Sequence, residues 1–289
     1  MKVRYRSVFW GVLTLLLPFL LTDTLYAQIQ EPEVVEIESA RTPLSEGYKS
    51  GIGFNTVINN FGFGVGVEFR RVLSSRLEGF GTLRLTGLRD VREQTFTDIF
   101  FGQQTIPNKY QRAFAFPLTF GVRQRLFADR VQDDFRFYAS LAAGPVLTYS
   151  YPYFNDSNEN GFRENDEIYR WFGYFEETND VFTGMGSGDW HLGLAGEFKI
   201  SLDVGDNFSR LTSIQFGYLF YYFNDGVQMM QPNQPVTRRP TTEDPIPFER
   251  RPEGCGPLGS DCELVTETFF SPQTFFGTPQ ISLVFGRMW

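Results

Sequence analysis

The chain has 289 residues, 42% of them hydrophobic and 17% aromatic, with 26 Lys/Arg against 34 Asp/Glu and a net charge of −8. A balance this acidic excludes nucleic acid as an expected partner, because nucleic-acid binding needs a basic face. Two cysteines and one histidine are too few ligands for a structural zinc site.

The first segment carries Lys2, Arg4 and Arg6, then an apolar run from Val8 to Leu21, then Leu25-Tyr26-Ala27. Basic residues, a short apolar stretch and a small residue in that order predict a secretory signal peptide over 1–27, cleaved near Ala27. The run is short for a helix crossing a bilayer, which needs about 20 apolar residues. Removing 1–27 takes away three basic residues and Asp23, leaving 23 Lys/Arg against 33 Asp/Glu. Residues 28–49 are acidic and aperiodic, and are expected to form a periplasmic tail.

From residue 50 onward the signal is alternation. Phe61, Phe63, Val65, Val67 and Phe69 alternate with Gly62, Gly64, Gly66, Glu68 and Arg70. Phe114, Phe116, Leu118, Phe120 and Val122 alternate with Ala115, Pro117, Thr119, Gly121 and Arg123. Trp190, Leu192, Leu194, Phe198, Ile200 and Leu202 oppose His191, Gly193, Ala195, Glu197, Lys199 and Asp203. Successive strand residues point to opposite faces, so each segment has one greasy face and one polar or small face. Strands are predicted at 50–58, 61–72, 76–88, 111–127, 134–150, 189–204, 209–223 and 274–289.

The connections sort by length. Short turns stand at 73–75, 128–133 and 205–208, whereas 89–110, 151–188 and 224–273 are long and polar; only the first hairpin, at Asn59-Asn60, is tight on the long-loop side. Membrane barrels show that asymmetry, and a soluble β-sandwich has no reason to. The fold class predicted over 50–289 is all-β: a closed antiparallel up-and-down transmembrane β-barrel of about eight strands. The tail over 28–49 either hangs free beneath the barrel or plugs it. Glu68, Arg70, Glu78, Arg84, Arg123, Arg125, Arg136, Glu197, Lys199 and Asp203 face the lumen. About eight strands leave room for side chains only, so these charges are expected to pair and fill the interior. The excess of cations would bias any leak toward anions.

The chain ends Ile281-Ser282-Leu283-Val284-Phe285-Gly286-Arg287-Met288-Trp289. Ile281, Leu283, Phe285 and Trp289 share one register, which resembles the terminal signature of outer-membrane β-barrels, although Phe is the more usual last residue. Together with the layout of strands and loops, the chain resembles the small outer-membrane protein A, X and W type barrels. The resemblance implies the outer membrane of a diderm bacterium, periplasmic termini, lipid and the barrel-assembly machinery as partners, and Phe285 and Trp289 as the assembly signal. It implies no activity, since one fold hosts many functions.

Three local features stand out in the long connections and at their rim. Residues 156–167 match the spacing of an EF-hand loop: Asp156, Asn158 and Asn160 as side-chain ligands, Phe162 through its carbonyl, Glu164 directly or through water, Glu167 bidentate, and Gly161 at the sharp turn. Pro152 precludes a regular preceding helix, so the expectation is a lone calcium-ordered loop of weak affinity, against the alternative of a solvated Asn/Asp turn. Cys255 and Cys262 are expected to form a local disulfide in an exported protein. His191 is the one histidine, inward near a strand end, and any hydrolytic mechanism would run through it, with Ser187 and Asp189 nearby in sequence.

The function expected is a non-enzymatic barrel needing no cofactor, whose long loops bind an extracellular ligand or surface polysaccharide or which serves envelope integrity. The alternatives are a small-solute channel and a lipid-modifying enzyme using His191.

Overall fold

The computed structural model describes residues 41–97, 104–131, 134–156, 159–163, 178–235 and 266–289. The expected signal peptide and most of the expected tail lie outside the described residues. Among the described residues twelve strands run in chain order: β1 (Ser50–Asn59), β2 (Gly62–Val72), β3 (Leu77–Leu88), β4 (Phe96–Thr97), β5 (Gln104–Thr105), β6 (Gln111–Leu126), β7 (Phe135–Pro152), β8 (Asp189–Val204), β9 (Arg210–Val227), β10 (Asn233–Pro235), β11 (Thr266–Thr268) and β12 (Gln273–Met288).

Eight of them close an antiparallel barrel in the order β1-β12-β9-β8-β7-β6-β3-β2, so each strand lies beside its chain neighbours and the last pairs with the first. Closure runs from Gly51↔Met288 to Asn59↔Gln280. The Trp289 carbonyl extends it by accepting the Lys49 and Ser50 amides at 2.9 and 3.0 Å. Closure removes both free edges, so no row of unpaired backbone groups faces the surroundings. β4–β5 and β10–β11 are small hairpins on the long connections.

The eight predicted strands are the eight barrel strands, with ends shifted by at most two residues except in β9, which continues to Val227; the short β4, β5, β10 and β11 lie outside the predicted set. The connections after β2, β6 and β8 gather at one end of the barrel, the turn end, together with residues 41–49 and Trp289, and the tight turn at 60–61 lies at the other. The long connections gather at that other end, the loop end.

The greasy faces point outward. Leu192, Leu141 and Ile58 are 73%, 65% and 65% exposed, and Ile281, Leu283 and Phe285 are exposed in turn along β12. From Phe275 to Phe285, ten steps at a rise of about 3.4 Å and a tilt of about 40° make an apolar band roughly 26 Å tall. Aromatic rings border it at both ends. Tyr149 and Phe116 lie 4.7 and 6.0 Å from Trp190 at the loop end, and Phe127, Phe135 and Trp289 are exposed at the turn end.

Candidate functional site

All ten charged residues assigned to the lumen are buried inside the barrel. Room for them comes partly from glycine. Gly66 stands across from Arg84 and Gly217 across from Lys199, and a Cβ at either would lie 2.7 Å from the Cγ of its partner.

Eight of the ten form one continuous, charge-balanced network. Arg70 Nε reaches Glu68 Oε1 at 2.6 Å and its Nη1 reaches Asp203 Oδ2 at 3.1 Å. Arg123 donates to the same Asp203 oxygen, approaches Glu78 Oε2 at 3.3 Å and lies 3.6 Å above the Tyr138 ring. Lys199 Nζ joins Glu68 at 3.9 Å to Glu197 at 3.0 Å, and Arg84 closes on Glu197 at 2.6 Å. Gln280 donates to Glu197 as well, at 3.2 Å.

The cation excess read from the sequence sits elsewhere. Arg125 donates to the Arg41 carbonyl at 2.6 Å, and Arg136 donates to the Gly205 carbonyl at 2.7 Å and covers Phe208. Both therefore belong to the turn-end closure, not to an anion path through the middle of the lumen.

Toward the loop end the interior turns apolar. Leu88, Ala115, Val146, Leu219, Phe223 and Phe276 are buried in one cluster, with Phe61 stacked 6.0 Å from Tyr221. A strap of backbone lies over it. The Met229 carbonyl accepts the Tyr110 and Gln111 amides at 2.9 and 3.1 Å, and the Gln231 amide donates to Asn108 at 2.8 Å. Lys109 Nζ meets Glu93 Oε2 at 2.6 Å beneath the strap, and burial lowers the lysine pKa despite that partner. Neither Glu93 nor Lys109 could be placed from periodicity, because both lie on an irregular connection.

His191 is brought to a residue that its neighbours in sequence do not suggest. Its Nε2 lies 2.9 Å from Ser150 Oγ on β7, because Thr148 pairs with His191 and Ser150 with Asp189 across the two strands. Ser187 instead donates to the Gly184 carbonyl at 3.0 Å. A nucleophile must be reached by its substrate, and Ser150 is fully buried. The contact is therefore a side-chain hydrogen bond that fixes the histidine ring, not an accessible nucleophile and base.

Of the EF-like segment, Asp156, Asn160 and Phe162 are described, and Asn158, Glu164 and Glu167 lie outside the described residues. The two Asp156 oxygens accept the Asn160 and Gly161 amides at 3.1 and 2.9 Å. Gly161 has φ of 80°, as the sharp turn requires, and Asn233 Nδ2 donates to the Asn160 carbonyl at 2.8 Å. Among the described residues no group of three or more His, Cys, Asp or Glu is placed to hold a metal ion. Cys255 and Cys262 lie outside the described residues. Phe285 and Trp289 both face outward, Trp289 at the turn-end rim.

No protein-family model matches the sequence, and no curated protein matches it. Among solved structures the chain is similar to Ail, the attachment invasion locus protein of Yersinia pestis, whose crystal structure is in complex with the heparin analogue sucrose octasulfate. That alignment covers 83% of this chain and 97% of the other at 9% identity, with a TM-score of 0.32. Of the expected likeness to outer-membrane protein A, X and W type barrels, the closed eight-stranded barrel is present in the fold, and no family is shown.

Proposed function

We propose that this chain is a non-enzymatic outer-membrane barrel that is closed to solutes and holds its long loops at the cell surface, where they bind an extracellular ligand such as a surface polysaccharide. The observation that carries the reading is the combination of an outward apolar band bordered by aromatic rings with an interior filled by a balanced charge network. Lipid on the outside requires the first, and the second fills the middle of the lumen with paired side chains. The turn end, with Trp289, is periplasmic in this reading, and the loops over 89–110, 153–188 and 228–272 are external.

Proteinase K applied to intact cells is expected to cut within those loops and to spare the turns at 73–76 and 205–209. Cleavage confined to the turns would invert the orientation, and a chain absent from the outer-membrane fraction would remove the reading altogether. Planar-bilayer recordings are expected to show no large, stable conductance. The 156–167 segment is proposed as a calcium-ordered part of the second long loop. Calorimetry should detect weak binding, about 10⁻⁴ to 10⁻³ M, that Glu167→Ala abolishes; identical traces would reject it.

A further inference from the structure

The lipid-facing surface is interrupted over β3. Gly79 and Gly81 put no side chain on the outer face of β3, and a groove of about 420 Å³ lies over them, walled by Ile52, Phe69 and Phe120, with Arg71 at its turn end. Arg71 donates from Nη1 to Ser50 Oγ at 2.7 Å, which holds the guanidinium at the mouth of the groove.

Arg71 also begins an arc of cations around the turn-end rim. It pairs in register with Ser50 of β1, Ile52 next to it pairs with Arg287 of β12, and Arg287 pairs with Arg210 of β9. Arg71, Arg210 and Arg287 make no ion pair with any described carboxylate. Arg287 and Arg210 face each other directly across an antiparallel pair, an arrangement that repels. The repulsion is poorly screened there, since exposed Phe285 and Leu283 begin one register step above. On the opposite side of the barrel the same rim carries Leu126, Phe135, Phe137 and Val204. That side carries Arg130 in a turn that also holds Asp129 and Asp134, so the arc of Arg71, Arg287 and Arg210 on β2, β12 and β9 is the denser concentration of cations, in a chain that is acidic overall.

A ligand that satisfies both features has an anionic head and an apolar tail. We infer that this face binds a phospholipid of net negative headgroup, with its phosphate between Arg71 and the Arg287–Arg210 pair and one acyl chain in the groove over Gly79 and Gly81. Guanidinium groups suit the phosphate because their paired N–H donors match its oxygens. The inference rests on the membrane-barrel reading and adds to it a lipid preference at one position of the perimeter.

The test starts from the full chain inserted into phosphatidylcholine vesicles doped with phosphatidylglycerol of the same chain length, insertion being scored by heat-modifiable migration. Native mass spectrometry of the extracted barrel then reads which lipid stays bound. The wild type is expected to retain phosphatidylglycerol over phosphatidylcholine by tenfold or more, each arginine near an anionic headgroup contributing about fivefold. The triple variant Arg71→Gln, Arg210→Gln, Arg287→Gln should insert and lose that preference. Gly79→Leu, whose new Cβ would come no closer than 3.5 Å to the Leu73 side chain and 3.9 Å to the Arg71 carbonyl, should insert and retain less of either lipid. A wild type that fails to insert overturns the membrane reading. An inserted wild type without preference, or a triple variant that keeps it, overturns this inference alone, as does a Gly79→Leu barrel that holds lipid as the wild type does.

Discussion

The two halves of the barrel interior solve the same packing problem with opposite chemistry. In the turn half, Arg70, Arg123, Arg84 and Lys199 meet Glu68, Glu78, Asp203 and Glu197 in one network. In the loop half, Val146, Leu219, Phe223 and Phe276 pack as in a soluble core. The cost of error differs accordingly. A missing methyl group leaves a cavity, whereas a missing carboxylate leaves cations with no partner, and buried unpaired charge is the more expensive of the two.

Asp203→Ala is the sharpest way to break that contrast. Asp203 Oδ2 serves both Arg70 and Arg123, so its loss orphans two guanidinium groups at once. Denaturant unfolding of the refolded barrel should show a loss of about 3–5 kcal/mol. A loss below about 1 kcal/mol, within the range of surface pairs, would mean that water reaches the network and that the plug is open.

Val146→Ala probes the other half. Val146 is fully buried in the apolar cluster, and removing two methyl groups should cost about 2 kcal/mol through lost burial and residual cavity. Unlike the first variant it strands no charge, so the same unfolding measurement should give a deficit that added salt leaves unchanged. A deficit that salt modifies would place charge or water in the apolar half and blur the comparison.

The halves also differ in how far the sequence makes them legible. Alternation with a period of two places Glu68, Arg70, Glu197, Lys199 and Asp203 inside, because one face of each strand is apolar and the other polar, and the two point to opposite sides of the closed sheet. It places the strands for the same reason. What alternation leaves out is pairing between strands distant in sequence. Arg70 finds Asp203 133 positions away, and Ser150 finds His191 through a register that periodicity does not encode. The Lys109–Glu93 pair and the Met229 strap are invisible on the same ground, as irregular backbone has no period. The groove over Gly79 and Gly81 requires knowing which strands flank β3, since two outward glycines are a gap only when their neighbours are large.

The smallest expected effect separates the loop half from what stands on it. Residues 178–188 are held to the barrel by Arg112 donating to the Asp180 carbonyl at 2.6 Å and Tyr151 donating to the Val181 carbonyl at 3.0 Å. Within the segment, Asp180 Oδ1 accepts the Phe182 and Thr183 amides, both at 2.7 Å. Those backbone hydrogen bonds hold its carboxyl below the usual aspartate range. A folded pKa lowered in this way contributes order that is complete above the ordinary aspartate value, near 3.9, and is lost as pH falls through the lowered one. Asp180→Asn should therefore leave global unfolding unchanged and raise amide exchange at Phe182 and Thr183 at pH 5, with the difference from wild type vanishing as the pH approaches 2. A global shift in the unfolding midpoint would tie this loop to the barrel core, and a difference that persists at low pH would show that the carboxylate charge is not what orders it.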